Sequence, residues 1–385
     1  MSIEKFGHDV GAFLRGLLSV DVTYSEPSNK YHYESPSPQE KGSTSSYRQV
    51  QKNTYNEGKN NYKIAGAFNQ AAKLIPGNLL ILCLPQNKCF QLDTESERIT
   101  FLFDLRWGPQ TFFWKAIVDV DGSIYCSVSG TVTSEQPPIA QFGNWGAVTR
   151  VNHRIANIET LAEGNGVTDP YGLQLLEDKR LLVSDFNSFD GTGSIYILDP
   201  ASRSVEIVAK GGRLKEPVSA VMDKNGLLWV ANSDQTVNDG EILRIDPGGT
   251  QTVILPRQGA GAGAVVGVLQ SIKPEELVIF VNDWPEMVNS SIFLLNKENG
   301  RKEILFQASS DEPQFYSTVG DIDGTTLWFG ECVEGYIVGY DLERKEVLKR
   351  IYVGSLYSMG GFKGMMHSYH GIESVTVIPR DMTVV

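Results

Sequence analysis

The segment MMHSYHG (365–371) holds two of the chain's five histidines, His367 and His370. Imidazole titrates near neutral pH and is the usual carrier of a catalytic proton. His370 is therefore the first candidate for a general acid or base, with His367 as a substrate contact. The alternatives are a wall residue bonded to backbone or, for the pair, a metal ligand. Three carboxylates, Asp185, Asp283 and Glu331, each close a hydrophobic run. Converging, they would hold a cation or bind an amine; separately, each would brace its own strand end. The Tyr171 phenol can donate a proton or orient a carbonyl, or simply fill space. Trp114 beside Lys115 offers an aromatic wall with a cationic tip, or plain packing with the lysine reaching water. Phe186 and Trp284 offer stacking surfaces, and Asn232 and Tyr316 offer polar contacts. The catalytic candidates are thus His370, Tyr171, Glu331 and Asp283. The binding candidates are Trp114, Lys115, Phe186, Asn232, Trp284, Tyr316 and His367.

Other chemistries lack their residues. The glycine-rich stretch 259–264 has no Lys-Ser/Thr partner and opens no helix pattern, so it reads as a connection and not a phosphate loop. No Gly-x-Ser-x-Gly elbow occurs, which argues against a serine nucleophile. Cys83, Cys89, Cys126 and Cys332 form no CxxC pair and read as buried thiols in a reducing compartment. A disulfide between Cys83 and Cys89 on adjacent strands is the alternative. Net charge is −12, which argues against nucleic acid as a partner. No long apolar run predicts a membrane span. The first twenty residues make a poor secretion leader, because Glu4 and Asp9 stand where basic residues belong. A cytoplasmic protein is expected.

The elements that must position these residues show in a repeat. Short strands ending in Asp or Asn recur as NKCFQLDT, GAVTRVNH, GSIYILDP, GEILRIDP, SSIFLLNK and GYIVGYDL. Their closing residues fall at 93, 152, 199, 246, 296 and 341, spaced by 59, 47, 47, 50 and 45 residues. A four-stranded unit at this period is the signature of a propeller blade. Each copy follows a near-continuous apolar run, such as NLLILCLP or LVIFVND, as expected of strands buried on both faces. Five first strands begin near Trp114, Tyr171, Pro217, Val265 and Tyr316. The sixth is expected at the far end of the chain, where HGIESVTVIPRD (370–381) would pair beside 78–85 and close the ring. Residues 63–68 are the competing choice. Closure removes exposed sheet edges.

The chain resembles the six-bladed NHL and gluconolactonase (senescence-marker) propellers over about residues 75–385. The resemblance is strongest over 216–247 and DPYGLQLLEDKRLLVSDF (169–186). It is specific for fold and weak for function, because relatives include lactonases, strictosidine-synthase-like cyclases, streptogramin lyases and noncatalytic scaffolds. The lactonase pattern implies metal-holding Pro-Asn-Gly and Pro-Asp-Gly turns. Here these read Pro170-Tyr171-Gly172 and Pro217-Val218-Ser219, so a tyrosine and a valine replace two oxygen ligands.

The expectation is an all-β, six-bladed propeller of four-stranded blades over 63–385, with a polar extension over 1–62. Residues 3–18 would form a short helix. The working site would be the channel mouth, with the glycine cluster 358–371 as a mobile cover. An enzyme transforming a small organic molecule by acid–base chemistry is the leading function, of cyclase, lyase or condensation type in specialised metabolism. The alternatives are a noncatalytic binding scaffold and a rearranged metal-dependent lactone hydrolase. No cofactor is required, and calcium is the cation to consider.

Overall fold

The repeat becomes six antiparallel sheets, each running from an innermost to an outermost strand. The computed structural model describes residues 48–49, 64–83, 87–107, 111–130, 145–163, 167–186, 192–234, 239–257, 263–283, 290–307, 317, 319–332, 334–354 and 372–383. Five blades have four strands each, and their innermost strands are Thr111–Val118, Pro170–Leu175, Glu216–Met222, Ala264–Gln270 and Asp321–Asp323. We number these blades 2 to 6.

Blade 1 joins the two ends of the chain. Its innermost strand is Ile372–Val377, which pairs antiparallel with Leu79–Cys83 in the register Val375↔Ile81. The C-terminal strand therefore closes the ring. The competing segment has another place: Ile64–Phe68 pairs with Ile99–Trp107 on the blade's outer side. Arg48–Gln49 adds beyond it, so at least these two residues of the N-terminal extension are docked. Blade 1 accordingly has six strands where four were expected. The helix expected over residues 3–18 lies outside the described residues.

The repeated Asp or Asn has a structural reason. In every blade its side chain accepts a hydrogen bond from a backbone N–H a few residues on. The pairs are Asp93 with Glu95, Asn152 with Arg154, Asp199 with Ala201, Asp246 with Thr250, Asn296 with Glu298, and Asp341 with Glu343. Such side-chain turns swing the chain from third strand to fourth. The second strands run through the apolar interior, and Leu79–Cys83 and Leu181–Asp185 are buried throughout. All four cysteines are buried and free, so the Cys83–Cys89 disulfide does not form.

The glycine opening several third strands is explained by the next blade. A Cβ on Gly146 would lie 2.2 Å from Pro170 Cδ, and one on Gly193 would lie 2.1 Å from Pro217 Cδ. Gly193→Ala is therefore expected to force blades 3 and 4 apart and to destabilise the fold by about 1–3 kcal/mol. Thermal unfolding should show a lower midpoint; an unchanged one would mean that the blades are not packed this closely.

Candidate functional site

The six innermost strands surround a central cavity of about 410 Å³, within the size range of small-molecule sites. A shared irregularity shapes its wall. Blades 2, 3, 4, 5 and 1 each shift register near the start of the innermost strand, at Phe113/Lys115, Pro170/Gly172, Pro217/Ser219, Val265/Gly267 and Ile372/Ser374. One extra residue is left unpaired at each shift, and such bulges re-aim side chains. The extra residues are Trp114, Tyr171, Val218, Val266 and Glu373, and all five line the cavity.

This tier has distinct arcs. Trp114 and Tyr171 stack with ring centroids 4.4 Å apart, nearly parallel at 21°. Phe112 continues the row behind Trp114 at 5.8 Å, and Phe186 behind Tyr171 at 5.9 Å. Trp114 Nε1 donates to Ser129 Oγ, and Ser127 Oγ donates to the Tyr171 carbonyl at 2.8 Å. The first bond fixes the Trp114 ring, and the second ties the Tyr171 backbone to blade 2. Val218 and Val266 make the aliphatic arc. Glu373 supplies the tier's carboxyl among the described residues.

Glu373 faces the cavity but sits deep in the protein body, and burial alone pushes its acid up to about 8. This shift favours the carboxylic acid over the carboxylate at neutral pH. Lys115 stands next to Trp114, at the level where the other blades carry Gly172, Ser219, Gly267 and Ser374. It reaches across two blades, donating from Nζ to the carbonyls of Val375 at 3.3 Å and Gly320 at 3.4 Å. Burial lowers this ammonium to about 8, opposed by the Asp321 charge. Asp321 accepts from the Val377 and Ile322 N–H groups, and burial raises its acid against the pull of Lys115.

Of the residues singled out in the sequence, Trp114, Lys115 and Tyr171 are brought together on the cavity wall. Phe186 backs that wall without lining the cavity. The second-strand ends brace the blades. Asn232 accepts from the Lys215 N–H at 2.9 Å and donates to the Arg213 carbonyl and to Glu241. Glu331 accepts from the Glu334 N–H, and Asp185 accepts from Thr168 and Asp169. Asp283 is buried, and its N–H donates to Ser290 Oγ. None of these four residues lines the cavity. His367, His370, Trp284 and Tyr316 lie outside the described residues, as does the glycine cluster 358–371.

Glu373 and Asp321 were not singled out in the sequence. Aligning the innermost strands as FWKAI, PYGLQ, PVSAV, VVGVL and IESVT puts Glu373 in one column with Trp114 and Tyr171. That column is the signal that finds it. Among the described residues, no group of three or more His, Cys, Asp or Glu side chains converges as a metal site. At the bulge tier, one carboxyl among two aromatic rings and two valines does not match the oxygen-rich set that calcium needs.

No family model matches the chain, and no curated protein matches it in sequence. Similar folds are found among solved structures. A chain from a nidogen/laminin complex is 13% identical at a TM-score of 0.53, with 79% of this chain and 98% of that one covered. A Bacteroides caccae protein of unknown function is also 13% identical, at 0.51, with 79% and 99% covered. These likenesses support the six-bladed propeller fold.

Proposed function

We propose that the protein is an enzyme acting on a small organic molecule by acid–base chemistry in the central channel. One observation carries this reading: a carboxyl group and an amine, Glu373 and Lys115, border a single cavity, where burial pushes the acid up and the ammonium down, each to about 8. Groups poised near the working pH are the ones that transfer protons well. Glu373 would act as the acid, and the neutral fraction of Lys115 as the base. Tyr171 and Trp114 would hold the substrate against one wall. The protein would then be a metal-independent member of the NHL and gluconolactonase-like propellers, of cyclase or lyase type, and cytoplasmic.

Proton transfer can be tested without the natural substrate. Small ketones incubated with the protein in deuterium oxide should exchange their α-protons, read by NMR. Glu373→Gln and Lys115→Met should each slow exchange by about 10²–10⁴-fold. Wild-type exchange at the solvent rate would favour a noncatalytic scaffold. Undiminished exchange in both variants would remove these residues from the chemistry.

A further inference from the structure

The bulge tier is amphipathic around its circumference, and this bears on what the channel accepts. Going round from blade 2 to blade 5, the inward residues are Trp114, Tyr171, Val218 and Val266: two flat rings, then two aliphatic groups. The remaining corner, blades 6 and 1, is polar. Glu373 lies there. So does Ser317, a cavity-wall residue whose Oγ is fully buried with no hydrogen-bond partner among the described residues. Ser317 is held by its backbone: Asn282 accepts from its N–H at 3.1 Å and donates to its carbonyl at 2.8 Å. A buried hydroxyl left unpaired calls for a partner.

We infer that the channel binds a neutral, flat, mostly apolar molecule carrying a single carbonyl-type oxygen. Its ring lies along the Trp114–Tyr171 wall, and its oxygen accepts a hydrogen bond at the Glu373–Ser317 corner. This rests on the proposed acid–base site and names its substrate class. A protonated carboxyl on a cavity wall is a hydrogen-bond donor suited to a carbonyl oxygen. The apolar arc has no charged group to receive a second polar end. Lys115 sits one level along the channel, its ammonium already donating to two backbone carbonyls and facing Asp321.

The strands packed against Ile372–Val377 are Leu79–Cys83, Thr111–Val118, Asp321–Asp323 and Thr326–Glu331. Their titratable groups are Cys83, Lys115, Asp321, Asp323 and Glu331. Cys83 is pushed up by burial to about 12 and stays neutral. Asp323 is paired with Arg380, and Glu331 is bonded to the Glu334 N–H. A pH effect on binding that Glu373→Gln removes therefore belongs to Glu373.

The test compares two probes with one ring system, 2-acetylnaphthalene and 2-naphthylmethylammonium, by tryptophan fluorescence titration of the full chain. The ketone should bind more tightly at neutral pH, by about tenfold or more. Its affinity should fall above about pH 8, towards tenfold per pH unit. Glu373→Gln keeps a donor and should retain ketone binding while flattening that profile. Trp114→Ala should weaken binding at all pH values. Tighter binding of the ammonium, strengthening as pH rises, would overturn the inference. So would the absence of saturable ketone binding, or a profile unchanged in Glu373→Gln. Proton exchange without ketone binding would sink the ligand class and leave the acid–base reading standing. Ketone binding without exchange would support the ligand class and sink that reading.

Discussion

A chain ending at residue 371 is expected to fail to fold as a closed ring. The missing segment carries Ile372, Val375 and Ile378, all essentially fully buried. Burying three such side chains contributes about 5–9 kcal/mol, which is comparable to the whole margin of a typical domain. The loss also bares one edge of Leu79–Cys83, a strand of five buried residues. It removes the bond from the Ile378 N–H to the Asn78 carbonyl and that from the Thr383 N–H to the Val120 carbonyl. An exposed apolar edge of this kind recruits other chains. The truncated protein should be insoluble or lack a cooperative thermal transition. A synthetic peptide covering 370–385, added during refolding, should restore part of the soluble fraction. A truncated chain with the wild-type midpoint would mean that the C-terminal strand is not part of the ring.

The second large effect concerns the pH dependence of stability. Glu373 titrates at about 8 in the folded protein and near 4.5 when unfolded. Between those values the folded state holds one more proton, so stability falls as pH rises, by up to about 1.4 kcal/mol per pH unit. Lys115 has the opposite sign. Its folded value of about 8 lies below the ordinary 10.5. Between those values the unfolded state holds the extra proton, so stability rises with pH. Together the two groups impose a minimum near pH 8. Glu373→Gln should remove the fall on the acid side and leave the rise on the alkaline side. Lys115→Met should do the reverse. Denaturant titrations of wild type and both variants across this range would show it. A stability difference between Glu373→Gln and wild type that does not vary with pH would contradict the account.

The propeller was legible because its repeat marks are structural parts. Asp199, Asp246 and their counterparts turn each blade outward. Gly146 and Gly193 let the next blade approach. The apolar second strands have no solvent face. The closing strand could be placed because 370–381 lacks a blade of its own. The site was legible only in part, for a geometric reason. A strand that alternates faces would turn Trp114 and Lys115 to opposite sides, yet the bulge sends both to the channel. The same bulge hides Glu373, which in IESVTV looks like a solvent-facing position next to the apolar Ile372. Carboxylates at strand ends, Asp185 and Glu331 among them, drew attention by their placement. Their hydrogen bonds to nearby backbone N–H groups show that the same placement serves blade construction.

The central claim is that Glu373 is an uncharged acid facing the channel at neutral pH. Its carboxyl carbon can be followed by NMR in protein labelled with ¹³C-glutamate, with Glu373→Gln assigning the resonance. The account predicts a midpoint near 8. A midpoint near the ordinary glutamate value of 4.5 would mean that the carboxylate is charged and solvated, and the acid role of Glu373 would fall with it.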